Sequence, residues 1–382
     1  MSTRAVLYPF GKQHVMKTAR AFFAFAAVMF LLAGSVSGQD KATEKDWNEI
    51  VAAAKKEGKL VLATSADPVV RTEIIPRFTA RFGISVDFLA ARDGDSLVKF
   101  RAERHAGIYS VDVWLSNIAY AITQLQSDKM LDPLRPLLIL PEVVDAAKWK
   151  KGKLWFLDPE QRYVLRAFST IVSPIAINTE YVKPEEIRSF KDLLNPKWKG
   201  KITSRDPSLG GSADTLTSVL YDRLGDEFVK KLYIDQKPVF SRDRRTTPEW
   251  LARGTYPICL ACNTDELELL RKEGFKLLQI YELSDAPAYL SAIPWVLTAM
   301  NKPPHPNAAK VFLNWIVSRD GIELYSRGFG SATQRNDVNE SFLNPNSIPR
   351  LGTEYVDTAD WPWKTEKEPE LSARIKALLK SR

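Results

Sequence analysis

Glycines, a proline and hydroxyl side chains are concentrated in residues 204–215, whose sequence is SRDPSLGGSADT. Gly210 and Gly211 allow the backbone to turn sharply and to approach a bound molecule closely. Ser212 is a favoured N-cap residue, and the amides at the start of the following helix have no partner inside that helix. Free amides at a helix start attract negative charge. The stretch therefore predicts an anion-binding loop, and the alternative is an ordinary turn between a strand and a helix.

The sequence around this loop predicts a sheet that carries it. Residues 201–203 favour a strand, and a helical apolar pattern runs from Leu216 to Leu224. Nearer the start of the chain, three apolar segments read as strands and alternate with helical segments; they are residues 60–63, 84–89 and 111–115. Strands that alternate with helices predict a parallel α/β sheet. The same alternation resumes between residues 201 and 280, so we expect a second α/β region.

Polar residues follow the predicted strands of the first region. Ser65 comes just after the first strand, and Ser116 and Asn117 follow the third. In open α/β sheets, ligands bind outside the carboxyl ends of the strands. We therefore expect Ser65, Ser116 and Asn117 to contact a ligand.

Two long β-rich runs, residues 168–178 and 288–297, predict crossings between two α/β lobes. Two crossings allow two lobes to hinge about a cleft. The predicted organisation is a first lobe formed by residues 39–170, a second lobe formed by residues 171–290, and a return to the first lobe with C-terminal packing helices over residues 291–382.

The beginning of the chain predicts export. Four basic residues precede or border the apolar run 21–33, small residues follow it, and no acidic residue occurs before Asp40. This pattern indicates a signal peptide over residues 1–38, cleaved near Gly38, with Met16 as an alternative start. Its removal reduces the formal net charge from +8 to +8 − 4 = +4. That charge is too small to indicate a nucleic-acid partner.

Cys259 and Cys262 are the 2 cysteines of the chain. They lie in an apolar segment, residues 256–262, that reads as a buried strand. Residues three apart on a strand point to opposite faces, so we expect two buried thiols, with a disulfide only if the strand ends early. Two cysteines cannot complete a zinc site, and the 3 histidines form no recognisable catalytic or metal-binding motif. No metal or cofactor is expected.

Several short phrases of the sequence carry a family resemblance. They are Trp47 with AAAKKEG at 52–58, RAER at 101–104, VDV at 111–113, DLLNPKWKGKI at 192–202 and HPNAAK at 305–310. Together they resemble the type II extracellular solute-binding proteins of bacterial ABC importers, in the group that contains the ferric-iron binders. The resemblance covers nearly all of residues 44–335. It implies two α/β lobes that close over one small solute, and a membrane permease as partner.

The iron binders of that group hold their metal with a histidine, a glutamate and a pair of tyrosines. The aligned positions here are Ser65, Ser116, Thr264 and Asp265. Ferric iron prefers anionic oxygen ligands, which two serines and a threonine do not supply. This departure argues against iron.

The resemblance places Arg244 and Arg245 near the cleft, and we expect Asn263 and Tyr289 to line it as well. Guanidinium groups beside free amides favour a carboxylate, a phosphate or a phosphonate, because arginine matches these groups with two parallel hydrogen bonds. The alternative for the two arginines is a solvated surface loop.

The sequence therefore predicts a periplasmic, monomeric protein that binds a small anionic solute, organic or phosphorus-containing, for an ABC importer. Three alternatives remain on the same scaffold: a ferric-iron binder, an exported enzyme, and a binding lobe that reports to a sensor. No activated pair of nucleophile and base is recognisable, which disfavours the enzyme.

Overall fold

Residues 36–380 are described by the structure, which is a computed structural model, and their side chains are described from Lys45 onward. The chain divides into two units, Met1–Glu49 and Ile50–Arg382. The described part of the first unit belongs to one helix, and every described strand lies in the second unit. Up to residue 35, the predicted signal peptide lies outside the described residues.

The described strands are short and are numbered here in chain order. They are β1 Lys59–Thr64, β2 Ser85–Ala90, β3 Val113–Trp114, β4 Leu131–Asp132, β5 Thr170–Ile171, β6 Ile175–Asn178, β7 Ile202–Arg205, β8 Val239–Ser241, β9 Ile258–Leu260, β10 Leu277–Ile280, β11 Tyr289–Ser291, β12 Ala299–Met300 and β13 Val356–Asp357.

The described α-helices separate most of these strands. They are α1 Val36–Glu57, α2 Ile75–Phe82, α3 Asp93–His105, α4 Ile118–Gln126, α5 Pro141–Val144, α6 Ser212–Lys230, α7 Thr246–Ala252, α8 Thr264–Lys272, α9 Pro306–Ile316, α10 Arg319–Phe329 and α11 Glu368–Lys380. Single π-helical turns precede α2 and α11 and follow α6, at Val70–Ile74, Trp363–Lys367 and Lys231–Asp235.

The first-lobe sheet has the strand order β2-β1-β3, with β1 parallel to both neighbours. Leu60, Leu62 and Ala63 of the central strand have no solvent exposure. A continuous apolar run is what a strand covered on both faces requires, and this is why the run predicted the strand correctly. The third strand was predicted over residues 111–115. In the structure it is shorter, because pairing is limited to Val113–Trp114.

The second-lobe sheet has five strands in the order β10-β6-β9-β7-β8. Strand β7 pairs in parallel with β9 and with β8, whereas β6 is antiparallel to both of its neighbours. The sheet therefore presents the carboxyl end of β7 between the carboxyl ends of β9 and β8. The loop after β7 is the predicted anion loop, and those after β9 and β8 begin with Ala261 and Arg242.

The two predicted crossing runs contain short strands. Proline has no amide donor, and Pro174 lies in the gap that divides the first run into β5 and β6. Strand β5 pairs antiparallel with β11 from the second run, with Ile171 opposite Leu290, so the two crossings lie side by side. Strand β13 pairs in parallel with β11 on its other side. The chain thus adds a third strand to this crossing sheet. The lobe boundaries at residues 170 and 290 stay predictions.

A buried arginine holds β13 in place. The Arg166 side chain has 0% exposure, and its Nη1 donates to Asp357 Oδ2 over 2.5 Å. Its Nε donates to the Phe168 carbonyl over 3.1 Å and its Nη2 to Ser169 Oγ over 2.9 Å. The guanidinium carbon lies 4.5 Å from the centre of the Trp155 ring. The buried guanidinium therefore has hydrogen-bond acceptors at its edge and an aromatic ring over its face.

Helix α11 packs against α6. Thr215 Oγ1 donates to Glu368 Oε1 over 2.7 Å, and Ser372 Oγ lies 2.8 and 2.9 Å from the two carboxylate oxygens of Asp214. Leu371 and Ile375 join the apolar core of the second lobe. The first turn of α6 is therefore held from outside by a segment near the end of the described chain.

Candidate functional site

Strand β7 leads directly into the predicted anion loop. Asp206 Oδ1 accepts the Ser208 amide over 2.9 Å and the Ser208 hydroxyl over 2.6 Å, which closes the first turn of the loop. Gly210 and Gly211 follow with φ of 79° and 80°, in the left-handed region that favours glycine. These two residues redirect the chain into α6.

Helix α6 begins without a side-chain cap. Gly211 is the N-cap residue, so the capping role predicted for Ser212 is wrong: the second glycine turn already places Ser212 inside the helix, and its hydroxyl donates to the Ala261 carbonyl over 3.2 Å. Among residues 36–380, no acceptor receives the amide N–H of Ser212, Ala213 or Asp214. The donors that a helix start offers to an anion are therefore present.

Arg205, the last residue of β7, lies beside this helix start. A Cβ built on Gly211 would be 3.6 Å from Arg205 Nη1. Arg205 Nε is buried and has no hydrogen-bond partner in the described part of the chain. Burial lowers the pKa of the Arg205 guanidinium, and the nearby charge of Arg244 lowers it further, against a smaller opposite effect of Asp243. An anion bound here would satisfy the free donor and reverse the pKa shift.

Arg205 was not among the predicted site residues, although it lies inside the stretch 204–215. The available signal was its place as the last residue of the strand, one position before an Asp-Pro turn. Side chains at the carboxyl end of a strand face the ligand side of an α/β sheet.

The predicted residues Arg244, Arg245 and Asn263 lie together at the start of α8. Arg244 Nη2 pairs with Asp265, and Arg245 Nε lies 3.5 Å from Glu266 Oε1. Asn263 Nδ2 donates to the Arg244 carbonyl over 3.0 Å. The two arginine side chains remain 55% and 77% exposed, so both are accessible to solvent while paired.

Cys259 and Cys262 form a disulfide, with their Cα atoms 5.8 Å apart, so the prediction of two buried thiols is wrong. The assumed strand would have kept the two side chains on opposite faces. Strand β9 ends at Leu260, and Ala261 adopts a left-handed φ of 50°. That turn brings the two side chains to the same side.

The predicted first-lobe residues differ in accessibility. Ser65 is exposed just after β1. Ser116 is 1% exposed, and its hydroxyl accepts Gln124 Nε2 over 2.9 Å. Asn117 is the N-cap of α4, where its Oδ1 accepts the Ala119 amide, and its Nδ2 donates to Asp93 over 2.7 Å. Of these three residues, Ser65 has its side chain most open to solvent.

Asp67 is a further first-lobe residue in the turn after β1, and it was not among the predicted site residues. Its Oδ1 accepts the Val69 amide over 3.2 Å, and its Oδ2 is buried beside the Tyr325 hydroxyl. Burial raises the pKa of Asp67 and the charge of Asp265 raises it further, whereas the hydrogen bonds from Val69 and Tyr325 and the charge of Arg244 lower it by less. Asp67 is therefore near enough to the Arg244–Asp265 pair for both charges to act on its carboxyl group. The polar turn after β1 was the signal for it.

Tyr289 is not brought together with the other predicted residues. It is 3% exposed and lies in the apolar core of the second lobe, which also contains Tyr233 and Val356. Its hydroxyl has no partner among the described residues, and burial raises its pKa.

Residues 73–347 match the family model of the bacterial extracellular solute-binding proteins. This match covers well over half of the 382 residues. The chain belongs to this family. The recognition from short sequence phrases is therefore confirmed.

Three similar proteins illustrate the range of this solute-binding family. An uncharacterized protein of Haemophilus influenzae is 23% identical over 282 residues, covering 71% of this chain and 76% of that protein. The periplasmic binding protein AfuA from Actinobacillus pleuropneumoniae, with fructose-6-phosphate bound, has a TM-score of 0.58 at 19% identity, covering 84% of this chain and 97% of AfuA. Iron-bound HitA from Pseudomonas aeruginosa has a TM-score of 0.60 at 15% identity, covering 85% of this chain and 98% of HitA.

These similarities confirm the predicted fold class, two α/β lobes of the type II periplasmic binding proteins. They also confirm the predicted function as a solute-binding protein of an ABC importer. No helix in the described part of the chain is both long and apolar enough to span a membrane.

The positions aligned with the iron ligands are used differently in this solute-binding protein. Thr264 Oγ1 accepts Gln279 Nε2 over 3.2 Å, and Asp265 pairs with Arg244. Residues 36–380 contain no group of three or more histidine, cysteine, aspartate or glutamate side chains that could hold a metal ion. The hydrogen-bond donors around the anion loop are N–H groups. Such groups bind anions and do not coordinate a metal cation.

Asp67→Asn is expected to stabilise this solute-binding protein near neutral pH. The folded state raises the pKa of Asp67, so folded chains keep the proton at a pH where unfolded chains have lost it. The parent therefore loses stability as pH rises from about 4 through the raised pKa, and asparagine removes that loss. The midpoint of thermal unfolding should rise at about pH 7.5 and stay unchanged at about pH 3.

Asp95→Asn is the matched control, since the Asp95 side chain is 73% exposed. It should leave the midpoint unchanged at both pH values. A lower midpoint for Asp67→Asn at neutral pH would contradict the prediction, because it would mean that the hydrogen bonds from Val69 and Tyr325 and the attraction to Arg244 outweigh the cost of burial.

Proposed function

We propose that this solute-binding protein captures a small organic anion, preferably one that carries a phosphate group, and delivers it to the permease of its importer. The observation that carries this proposal is Arg205, whose buried Nε has no partner in residues 36–380 and whose Nη1 approaches the uncapped start of α6. A guanidinium and free amides are all donors. The group that satisfies them together is an anionic oxygen cluster.

The donors around Arg205 favour a phosphate group over a carboxylate. Arg205 and Arg244 are close enough for one to lower the pKa of the other. Arg244 is already paired with Asp265, whereas Arg205 has no ion-pair partner in the described chain, so a phosphate monoester, with about two negative charges near neutral pH, would act chiefly on Arg205. Its several oxygens can also accept the fork of a guanidinium and the amides of α6 at the same time.

The similar proteins suggest two ligands to test. AfuA binds fructose-6-phosphate, which contains the group that we propose for this chain. HitA binds iron, which keeps a ferric ligand as the second candidate. The serines and the threonine at the aligned positions support the phosphorylated solute over the metal, as does the donor-rich anion loop.

We further propose that the protein binds its solute without converting it. The histidine–carboxylate pair of His305 with Asp112 has a structural role, because Asp112 also accepts the backbone amides of Val61 and His305, each over 2.6 Å. This arrangement ties the start of α9 to β1. His105 is exposed on α3.

Export and assembly complete the proposal. Residues 1–38 would direct the chain across the inner membrane and be cleaved near Gly38. The mature protein would act in the periplasm as a monomer, with one small molecule in the cleft and the ABC permease as its partner.

Mass spectrometry of protein purified without unfolding tests the ligand directly. The protein is denatured, and the released solution is analysed for both organic anions and metals. We expect a phosphorylated organic compound at near-stoichiometric amount and no ferric iron. Calorimetry on protein freed of ligand should then show binding of that compound, with fructose-6-phosphate, inorganic phosphate and citrate as probes.

Three outcomes would contradict the proposal. Stoichiometric ferric iron in the released solution would show that the aligned serines do not exclude the metal. A released compound without any anionic group would remove the role of Arg205. Turnover of a phosphate ester by the pure protein, abolished by a single substitution, would replace binding by catalysis.

A further inference from the structure

The Cys259–Cys262 disulfide lies next to the anion loop. Cys259 is the middle residue of β9 and has 0% exposure, and Cys262 follows the strand and is 9% exposed. Their Cα atoms are 5.8 Å apart, with two residues between them. The bridge therefore closes a tight loop at the carboxyl end of a strand that neighbours β7.

Ala261, inside this loop, is the residue that contacts the anion loop. Its φ of 50° is in the left-handed region, which alanine adopts only when its surroundings hold it there. Its amide donates to the Pro174 carbonyl over 2.9 Å, and its carbonyl accepts Ser212 Oγ over 3.2 Å. The first residue of α6 is thus tied to a strained turn that the disulfide encloses.

The chain after Cys262 reaches the other part of the site. Asn263 is the N-cap residue of α8, and its Nδ2 donates to the Arg244 carbonyl over 3.0 Å. The positive charge of Arg244 lowers the pKa of the Arg205 guanidinium. One covalent link therefore fixes a loop that touches both the helix start and the arginine loop.

We infer that the Cys259–Cys262 disulfide is a redox-sensitive positioning element for the anion site. A dithiol reductant would break the S–S bond with two electrons; the two cysteine sulfurs take up two protons to become thiols, and the reductant is oxidised to its own disulfide. Ala261 would then relax towards an ordinary backbone conformation and release Ser212. The helix start and the Arg244 loop would lose their fixed arrangement, and the ligand affinity would fall.

Amide hydrogen exchange tests the positioning without any ligand. The full chain is compared in its oxidised form and after reduction with dithiothreitol, with the thiol content measured in parallel. Peptides that cover residues 206–216 and 242–246 should exchange about fivefold faster after reduction, as expected for the loss of one hydrogen bond at each place. A peptide that covers α9 should be unchanged. Equal exchange in both forms would overturn the inference.

Two variants separate positioning from general stability. Cys259→Ala with Cys262→Ala should reproduce the exchange of the reduced chain; if this variant does not fold, the reduced parent gives the same comparison. Ala261→Gly should largely suppress the effect of reduction, because glycine keeps the left-handed turn without help from the disulfide. An Ala261→Gly chain that responds to reduction as strongly as the parent would contradict the role given to Ala261.

The effect on affinity rests on the proposed function and is measured separately, by calorimetry with fructose-6-phosphate and inorganic phosphate. Reduction should weaken binding by about three- to tenfold in the parent and less in Ser212→Ala, because one of the two contacts that transmit the change, from Ala261 to Ser212, is then already absent while that from Asn263 to Arg244 remains. Equal weakening in both would contradict the role given to Ser212. If neither probe binds, that result counts against the proposed ligand class, and the exchange data alone decide the inference.

Discussion

Arg205→Ala is expected to weaken binding of the phosphorylated solute by about tenfold to a hundredfold. The parent guanidinium has a buried donor without a partner, beside three amides that are also free in the described part of the chain. Each hydrogen bond to a charged group contributes roughly 1.5–3 kcal/mol, and 1.4 kcal/mol corresponds to about tenfold in affinity. Arg205→Lys should recover only part of the loss, since lysine lacks the planar fork. Calorimetry with the co-purified compound checks this.

Arg245→Ala is the control for this experiment. Arg245 is also an arginine of the predicted site, but its side chain is 77% exposed and lies 3.5 Å from Glu266. We expect Arg245→Ala to weaken binding less than Arg205→Ala does. If Arg205→Ala binds like the parent while its unfolding midpoint is unchanged, the anion site does not lie at the start of α6.

Asp357→Ala is expected to lower the free energy of unfolding by about 3–5 kcal/mol, the usual cost of leaving one buried charge unpaired. The Arg166 side chain has 0% exposure and cannot turn to water when its carboxylate partner is removed. The two hydrogen bonds from Arg166 to Phe168 and Ser169 remain, but neither partner carries a charge. Urea unfolding, followed by tryptophan fluorescence, measures the loss.

A surface ion pair provides the comparison for Asp357. Asp226 pairs with Arg374, and its side chain is 71% exposed, so Asp226→Ala should cost at most about 1 kcal/mol. Replacing both members of the pair, Arg166→Met with Asp357→Leu, should recover much of the loss, because no unpaired charge is then left inside. If Asp357→Ala costs no more than Asp226→Ala, Arg166 finds another partner in the variant or water reaches it.

The elements of the fold were largely predictable because their signals are local. The apolar run at residues 60–63 has to be a covered strand, and the helical pattern from Leu216 to Leu224 lies within α6. The crossing runs were less readable. Their composition favours strands, but pairing is limited by Pro174 and by the partners available in the crossing sheet. Pairing between distant segments, such as β13 with β11, leaves no local signal.

The site was predictable in its glycines and only partly in its side chains. Gly210 and Gly211 carry their own conformational signal. Arg205 was missed because whether an arginine has a carboxylate partner depends on residues far away in the sequence. The left-handed turn at Ala261 has no sequence signal, since alanine does not favour it, and the disulfide could not be predicted without it. The ligand roles of Ser65, Ser116 and Asn117 stay predictions.

The third strand of the crossing sheet determines when the second lobe can finish folding. The apolar core of that lobe contains Ile175 and Leu216 as well as Val356, Leu371 and Ile375. During synthesis the amino-terminal residues emerge from the ribosome first. The first-lobe sheet can therefore form while Val356, Leu371 and Ile375, which belong to the second-lobe core, are still missing. We expect the second lobe to remain loosely packed, and its anion loop unformed, until the last described helix has emerged and closed over α6.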